Sequence, residues 1–383
     1  MGDQIEQFRI EVGQEVLDDL YERLDRTRWP DQIPGTGWDY GTDLAWLQDL
    51  CRYWRDEYDW REHEAALNQW DHFRTEIDGQ NVHFIHARSP HEDATPLLIT
   101  HGWPGSVSEF LHVIEPLRDP TAHGGEAADA FHVVAPSLPG YGWSGPTVEP
   151  GWDSRRVAEA WAVLMDRLGY GSYVAQGGDW GAMISTQLGL VDADHVAGLH
   201  LNMVIAVPPD DTDWSQLTEE ENAALVDAAA FLEEGSGYQA IQGTKPQTLG
   251  YGLTDSPAGL AGWIGEKFLA WTDNDGTPES AVARDDLLTN ITIYWVTGTI
   301  NSSTRLYYES RKAGYFGPHR DKVEVPTGAA IFPKEIFRPA RSFAEAVYDV
   351  VHWSTFDRGG HFAAMEEPDL LVEDVRAFRR TLG

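Results

Sequence analysis

The stretch Gln-Gly-Gly-Asp-Trp-Gly at residues 176–181 decides the fold of this chain. It follows a short apolar run and precedes a helical pattern, which predicts a strand, a sharp turn and a helix. Gly177 and Gly181 surround Asp179 in the Gly-x-Nu-x-Gly frame of a nucleophile elbow. Such a turn presents one reactive side chain at the end of a central strand, and here that side chain is a carboxylate.

An aspartate at the nucleophile position changes the chemistry of the turn. A serine hydroxyl needs a neighbouring base to become a nucleophile, whereas an aspartate, with a reference pKa of about 3.9, is ionised at neutral pH. Asp179 can therefore attack a strained or activated carbon and form an alkyl ester. The alternative is that Asp179 only caps the helix that begins beside it. The two flanking glycines favour the nucleophile.

Composition limits the partners of the chain. It has 383 residues, 42% of them hydrophobic, and a formal net charge of −34, so we expect it to repel nucleic acid and anionic lipid. A single cysteine, Cys51, excludes an intrachain disulfide. The first residues lack a secretory signal, and no apolar run is long enough to span a bilayer. We expect a soluble, cytoplasmic protein without a membrane anchor.

The pattern of elements predicts four consecutive regions. Residues 1–71 are helical and rich in tryptophan, and we expect them to pack on the core and the lid. Residues 72–207 alternate strands with helices and residues 321–383 return to strands, so together they predict a mostly parallel sheet. Residues 208–320 predict a helical lid. Its expected helices are Thr218–Glu234, Gly259–Thr272 and Leu287–Ser310.

A second turn supplies candidate hydrogen-bond donors. The sequence His-Gly-Trp-Pro-Gly-Ser at residues 101–106 follows the predicted strand Leu97–Thr100. The backbone N–H groups of Trp103 and Trp180 are the expected oxyanion hole, and each such donor contributes about 10²–10³ in rate. The alternative is an ordinary Pro-Gly turn that precedes a helix.

Chain order predicts the other members of a triad, because α/β hydrolases place the acid and then the histidine after the nucleophile. His361 lies in a glycine-rich loop after the last predicted strand, and Glu335 follows the strand before it. Glu335 would orient the imidazole and stabilise its charged form. Asp349 falls within a predicted strand and Asp357 is too close to the histidine. Asn202, after an earlier strand, cannot act as an acid.

At this point the chain resembles the epoxide hydrolases of the α/β-hydrolase superfamily, specifically the microsomal-type branch. The resemblance implies a mostly parallel eight-stranded sheet flanked by helices, with a helical lid inserted after strand six. It also implies conversion of a small-molecule epoxide and water to a vicinal diol through a covalent aspartyl ester, with no metal or organic cofactor. The motifs that carry it are residues 101–106, 177–181, 244–246, 255–257, 294–295, 297–299, 332–335 and 358–364.

The resemblance further implies that two lid tyrosines hold and protonate the epoxide oxygen. By motif these are Tyr307 and Tyr238, with Tyr308 and Tyr251 as neighbouring competitors. Bacterial relatives act in detoxification and in natural-product biosynthesis, including enediyne antibiotic pathways, and the aromatic-rich lid favours a bulky or aryl epoxide. The oligomeric state stays open, a homodimer included. The expected substrate pocket comprises Trp103, Trp180, Tyr308 and Tyr251.

Three other functions fit parts of the pattern. A haloalkane or haloacid dehalogenase shares the aspartate and the tryptophan after it, but tyrosine donors suit an epoxide oxygen better than a halide. A serine esterase is disfavoured because no serine occupies the elbow. A non-catalytic small-ligand receptor on the same fold is disfavoured by the intact triad order.

Overall fold

A computed structural model describes residues 4–318 and 321–383 of the chain. Within these residues a single sheet contains nine strands. In chain order the strands are β1 Glu6–Phe8, β2 His72–Ile77, β3 Gln80–Ala87, β4 Thr95–Thr100, β5 Phe131–Pro136, β6 Tyr173–Gly177, β7 Val196–Leu201, β8 Val323–Ile331 and β9 Tyr348–Thr355. Their order across the sheet is β1-β2-β3-β5-β4-β6-β7-β8-β9.

The sheet combines an antiparallel edge with a parallel centre. Strands β1, β2 and β3 pair antiparallel, and Asp78 and Gly79, both with positive φ, form the two-residue turn of the β2–β3 hairpin. The strands from β5 to β9 pair in parallel. Leu97 and Leu98 of β4 are fully buried, as expected where helices cover both faces of a parallel sheet.

Helices cover both faces of the sheet and form the long insertion between β7 and β8. In chain order they are α1 Gln14–Asp25, α2 Leu44–Asp56, α3 Trp60–Leu67, α4 Leu111–Arg118, α5 Ser154–Arg167, α6 Asp179–Val191, α7 Glu219–Ala230, α8 Gly237–Gln242, α9 Pro246–Asp255, α10 Pro257–Trp271, α11 Arg284–Thr297, α12 Ile300–Ala313, α13 Arg341–Val347, α14 Ala363–Glu366 and α15 Pro368–Thr381. Within the described ranges, no helix has the length and apolar character that crossing a membrane requires.

The sheet and the lid differ from the sequence expectation in several details, among them two lid helices, α8 and α9, that the sequence pattern does not predict. The sequence predicts eight strands, whereas the described residues contain nine. The additional strand is β1, which lies in a segment predicted to be helical throughout. Counted from β2, the lid follows the sixth strand, as expected. The expected lid helix Leu287–Ser310 is two helices, α11 and α12, because Gly298 takes a left-handed conformation (φ 64°) and ends the first. The expected lid boundary at residue 320 lies outside the described residues.

The N-terminal helices dock onto the lid through tryptophan and tyrosine side chains. On α2, the indole Nε1 of Trp54 donates to the hydroxyl of Thr292 on α11 at 3.0 Å. Tyr58 shares a 3.0 Å hydrogen bond with Thr289 of the same helix. Because each ring buries apolar area while its polar atom is hydrogen-bonded, the N-terminal segment holds the lid helix that lies above the site.

Candidate active site

The turn between β6 and α6 holds Asp179, the first residue of α6, in a strained backbone conformation. Asp179 has φ 50°, in the left-handed region that side chains other than glycine rarely occupy. The turn closes because its neighbours lack side chains: a methyl group on Gly177 would overlap the backbone of Gly181, and one on Gly181 would overlap the carbonyl of Thr100. The elbow therefore depends on both glycines, and it presents the Asp179 carboxylate above the strand ends.

The turn after β4 faces that carboxylate. The backbone N–H of Trp103 donates to Oδ1 of Asp179 at 2.7 Å. Two lid side chains hold this turn from above: Asn290 Nδ2 donates to the carbonyl of Pro104, and Tyr294 Oη to that of Gly105, each at 2.7 Å. The second expected donor, the N–H of Trp180, belongs to the first turn of α6, where backbone N–H groups have no partner within the helix.

His361 lies between two carboxylates. Its Nε2 is 3.5 Å from Oδ2 of Asp179, and its Nδ1 is 2.7 Å from Oε1 of Glu335. The same Glu335 oxygen accepts the backbone N–H of Ile336 at 2.6 Å. The side chains of Glu335 and His361 are 1% and 2% exposed, so the contact is shielded from water. The structure thus brings together the three residues expected from chain order.

The charge of His361 depends on its two neighbours. Burial alone would lower its pKa, but the charge of Glu335, the hydrogen bonds to Asp179 and Glu335, and the charge of Asp179 raise it well above the usual range. The imidazole therefore carries a proton before the reaction begins. Loss of the Asp179 charge would remove one cause of the raised pKa, and the pKa of His361 would fall.

The lid also fixes the histidine loop. The backbone N–H of His361 donates to the carbonyl of Trp271, the last residue of α10, at 2.9 Å. The Trp271 ring packs edge-to-face on the imidazole, with centroids 5.0 Å apart. Gly359 N–H donates to the carboxylate of Asp273 at 2.9 Å. These contacts therefore hold the lid and the histidine loop together.

Two lid tyrosines cover the nucleophile. The Tyr238 ring stacks on Trp103 with centroids 5.2 Å apart, and the Tyr307 ring meets Trp180 edge-to-face at 4.7 Å. The Tyr238 hydroxyl accepts from Gln239 Nε2 at 3.0 Å, which leaves its own proton free. Burial, with a further effect of the Asp179 charge, raises the pKa of both phenols. Both are therefore protonated at neutral pH and can donate.

Comparison with known proteins agrees with this geometry. Residues 5–110 match the family described as epoxide hydrolase N terminus, and residues 95–250 match the family described as alpha/beta hydrolase fold. Epoxide hydrolase 1 of Oryctolagus cuniculus is 39% identical over 401 residues, which cover 98% of this chain and 88% of that protein. The chain belongs to the epoxide hydrolase family.

Solved structures of epoxide hydrolases share the whole architecture. The crystal structure of juvenile hormone epoxide hydrolase from the silkworm Bombyx mori matches with a TM-score of 0.90 and 34% identity, covering 99% of this chain and 95% of that one. The structure of Aspergillus niger epoxide hydrolase matches with a TM-score of 0.88 and 31% identity, covering 99% and 97%. The family and the fold class expected from the sequence are confirmed, and the dehalogenase alternative gains no support.

Several expected site residues lie elsewhere in this epoxide hydrolase. Tyr251 is 72% exposed on α9. Tyr308 follows Tyr307 on α12, and because successive helical residues point in different directions, its ring lies instead beside Lys312, whose Nζ is 5.8 Å from the ring centroid. The structure therefore does not bring Tyr251 or Tyr308 to the nucleophile. The weaker acid candidates Asp349 and Asp357 are exposed.

Other residues at the site were missed by sequence reasoning. Trp271 contacts Tyr238, with ring centroids 5.3 Å apart. Lys267 is buried, pairs with Glu266 and lies over the Tyr238 ring, its Nζ 4.5 Å from the centroid. Glu109 lies near the nucleophile on the short helical turn after residues 101–106. Two adjacent charges, Glu266 and Lys267, interrupt an otherwise apolar helical run, and this is the signal that could have identified Lys267.

We expect a methyl group added at Gly181, in the tight turn, to lower the stability of the fold, and one added at a glycine with open space around it not to. Gly181→Ala should lower the free energy of unfolding by about 3 kcal/mol, the upper part of the usual overpacking range, because its Cβ meets the Thr100 carbonyl. The matched control Gly252→Ala lies in α9 with open space around it and should raise stability by up to about 1 kcal/mol. Denaturant unfolding measures both, and equal stability of Gly181→Ala and the parent would contradict this packing.

Proposed function

We propose that this epoxide hydrolase opens its substrate by covalent catalysis on Asp179. The observation that carries the proposal is that the two carboxylate oxygens of Asp179 have different partners. Oδ1 accepts the Trp103 N–H, while Oδ2 lies 3.5 Å from His361 Nε2. Oδ2 attacks an epoxide carbon, the bond from that carbon to the ring oxygen breaks, and an ester with an adjacent alkoxide forms.

Tyr307 and Tyr238 protonate the departing oxygen. A phenol is a weak acid toward the ether oxygen of the bound substrate, but the developing alkoxide is far more basic. The hydrogen bonds therefore strengthen in the transition state, which is where they lower the barrier. One tyrosine gives up its proton to the alkoxide. Because the ester has removed the Asp179 charge, the pKa of His361 falls and its proton restores the tyrosine hydroxyl.

Hydrolysis of the ester uses the now neutral His361. The imidazole takes a proton from water, and the water oxygen attacks the carboxyl carbon of Asp179. The negative charge that develops on Oδ1 is stabilised by the N–H groups of Trp103 and Trp180. Collapse breaks the ester bond, and the proton on the Asp179 carboxyl passes to the diol oxygen. The cycle ends with an ionised Asp179, a protonated His361 and two protonated tyrosines.

The aromatic walls support a bulky or aryl epoxide as the substrate. Aromatic rings pack around the tyrosine donors: Trp180 contacts both Tyr307 and Phe316, at centroid distances of 4.7 and 5.5 Å. Aromatic rings favour offset or edge contacts with a substrate ring. A role in natural-product biosynthesis or in detoxification is consistent with such a substrate. The partners are then the epoxide and water.

Removing the base should stop the cycle halfway. In His361→Gln, Asp179 remains able to open the epoxide, so the ester should accumulate while turnover falls by about 10²–10⁴, the usual contribution of a general base. Intact-protein mass spectrometry after mixing with styrene oxide detects the adduct, and peptide mapping assigns it to Asp179. Turnover at the parent rate would remove His361 from the mechanism.

Removing one of the two tyrosine proton donors should slow epoxide opening, the first half of the cycle. Tyr307→Phe should reduce the single-turnover rate of ester formation by about 10- to 100-fold, since general acids contribute about 10²–10⁴ and Tyr238 still donates. The matched control Tyr40→Phe, at a tyrosine that is 80% exposed, should leave that rate unchanged. Stopped-flow measurement of both variants is the check, and an unchanged rate in Tyr307→Phe would exclude it as a proton donor.

A further inference from the structure

A small cavity lies beside the nucleophile, and neither Tyr238 nor Tyr307 lines it. Its volume is about 20 Å³, and Asp179 and His361 form part of its wall. A cavity must have a volume of at least roughly 10–15 Å³, and several polar partners, to hold one water molecule. The space therefore has room for a single water molecule beside the ester carbon and the general base.

Two amide side chains supply polar groups to this cavity. Gln176 Nε2 donates to Oδ1 of Asn202 at 2.8 Å, which fixes the orientation of both amides. Both line the cavity. The Asn202 Nδ2 group lies against Gly178, where a side chain would overlap it. Asn202 cannot replace the acid of the triad, but its amide adds polarity to the wall beside the nucleophile.

Glu109 adds a carboxyl group to the wall of the cavity. It lies on the helical turn Val107–Phe110 that follows residues 101–106. A methyl group on Gly105 would overlap its Oε1, so the glycine makes room for the carboxyl. Burial raises the pKa of Glu109 to about 8, the proton of His361 opposes the shift and the charge of Asp179 adds to it. At neutral pH the group can donate one hydrogen bond and accept others.

We propose that Glu109 is the positioning residue for the hydrolytic water, which it holds in this cavity against His361 and the ester carbon. This inference rests on the ester mechanism proposed above. Glu109 exchanges no proton with the water: one water proton goes to His361, the oxygen bonds to the Asp179 carbon, and Glu109 supplies a hydrogen bond. Through the water molecule, the residue acts in ester hydrolysis and not in epoxide opening.

Glu109 also has a local structural role that the experiment must separate from this one. Its carboxyl accepts the backbone N–H of Ser106, and this contact caps the turn that presents Trp103. Loss of the cap would disturb the oxyanion donor and so affect both chemical steps. Loss of the water contact would affect only the second step. Glutamine has the shape of glutamate and keeps both hydrogen bonds, whereas methionine keeps the shape and neither bond.

Single-turnover kinetics of Glu109→Met and Glu109→Gln test the proposal, with rates of ester formation and ester hydrolysis measured separately on styrene oxide. In Glu109→Met, loss of the cap should slow both steps by the same factor, and loss of the water contact should slow hydrolysis by a further factor of about ten, the value of one hydrogen bond. Glu109→Gln should recover hydrolysis to within about threefold of the parent. The matched control Glu115→Met, at a half-exposed residue of α4, should change neither rate.

Three results would overturn the proposal. If Glu109→Met hydrolyses the ester at the parent rate, Glu109 does not position the water. If both steps slow equally, Glu109 only caps the turn that presents Trp103. Absence of an ester in the parent enzyme itself would refute the underlying mechanism instead. Should Glu109→Met not fold, a high-resolution crystal structure of the parent decides: a water molecule within hydrogen-bond distance of Glu109 and His361 Nε2 supports the proposal, and a dry cavity overturns it.

Discussion

One hydrogen bond organises the site: the N–H of Trp103 donates to Oδ1 of Asp179 at 2.7 Å. It requires two turns from different strands to lie side by side. Strands β4 and β6 are adjacent and parallel, with Thr100 paired to Gly177 at their ends, so both turns emerge at the same edge of the sheet. The sheet register therefore sets the distance between nucleophile and donor, and the strained φ of Asp179 directs its carboxylate to that donor.

The lid does more than cover the site, because it holds both loops that carry chemistry. Helix α11 hydrogen-bonds the carbonyls of the Trp103 turn, and the end of α10 accepts the backbone N–H of His361. The N-terminal segment in turn holds α11 through Trp54 of α2 and through Tyr58, which lies between α2 and α3. Nucleophile, donor and base are thus set by contacts among distant parts of the chain, which limits their freedom before substrate binds.

Local sequence patterns located the residues whose chemistry depends on a turn. Gly177 and Gly181 identify Asp179 because no other residue type fits that backbone, and chain order points to Glu335 and His361 because the fold fixes which strand precedes each. Tertiary contacts have no such local signal. The three-residue strand β1 is too short to show a period, and Tyr308 could be separated from Tyr307 only by knowing which face of α12 meets the nucleophile.

The same limit applies to the residues that the sequence did not reveal. Trp271 is one of sixteen tryptophans, and its position beside His361 follows from how α10 ends against the core. Glu109 is one of many acids in a chain of net charge −34. Its significance comes from its place in the cavity wall beside Asp179 and His361, which only the folded chain supplies.

In the proposed mechanism a side-chain carboxylate becomes esterified before water enters the reaction. Its most direct test is one turnover in heavy-oxygen water with enzyme in excess over epoxide, followed by mass spectrometry of the peptide containing Asp179 and of the diol. Because water attacks the ester carbon, we expect heavy oxygen in Asp179 and none in the diol. Heavy oxygen in the diol after that first turnover, with an unlabelled Asp179, would contradict it.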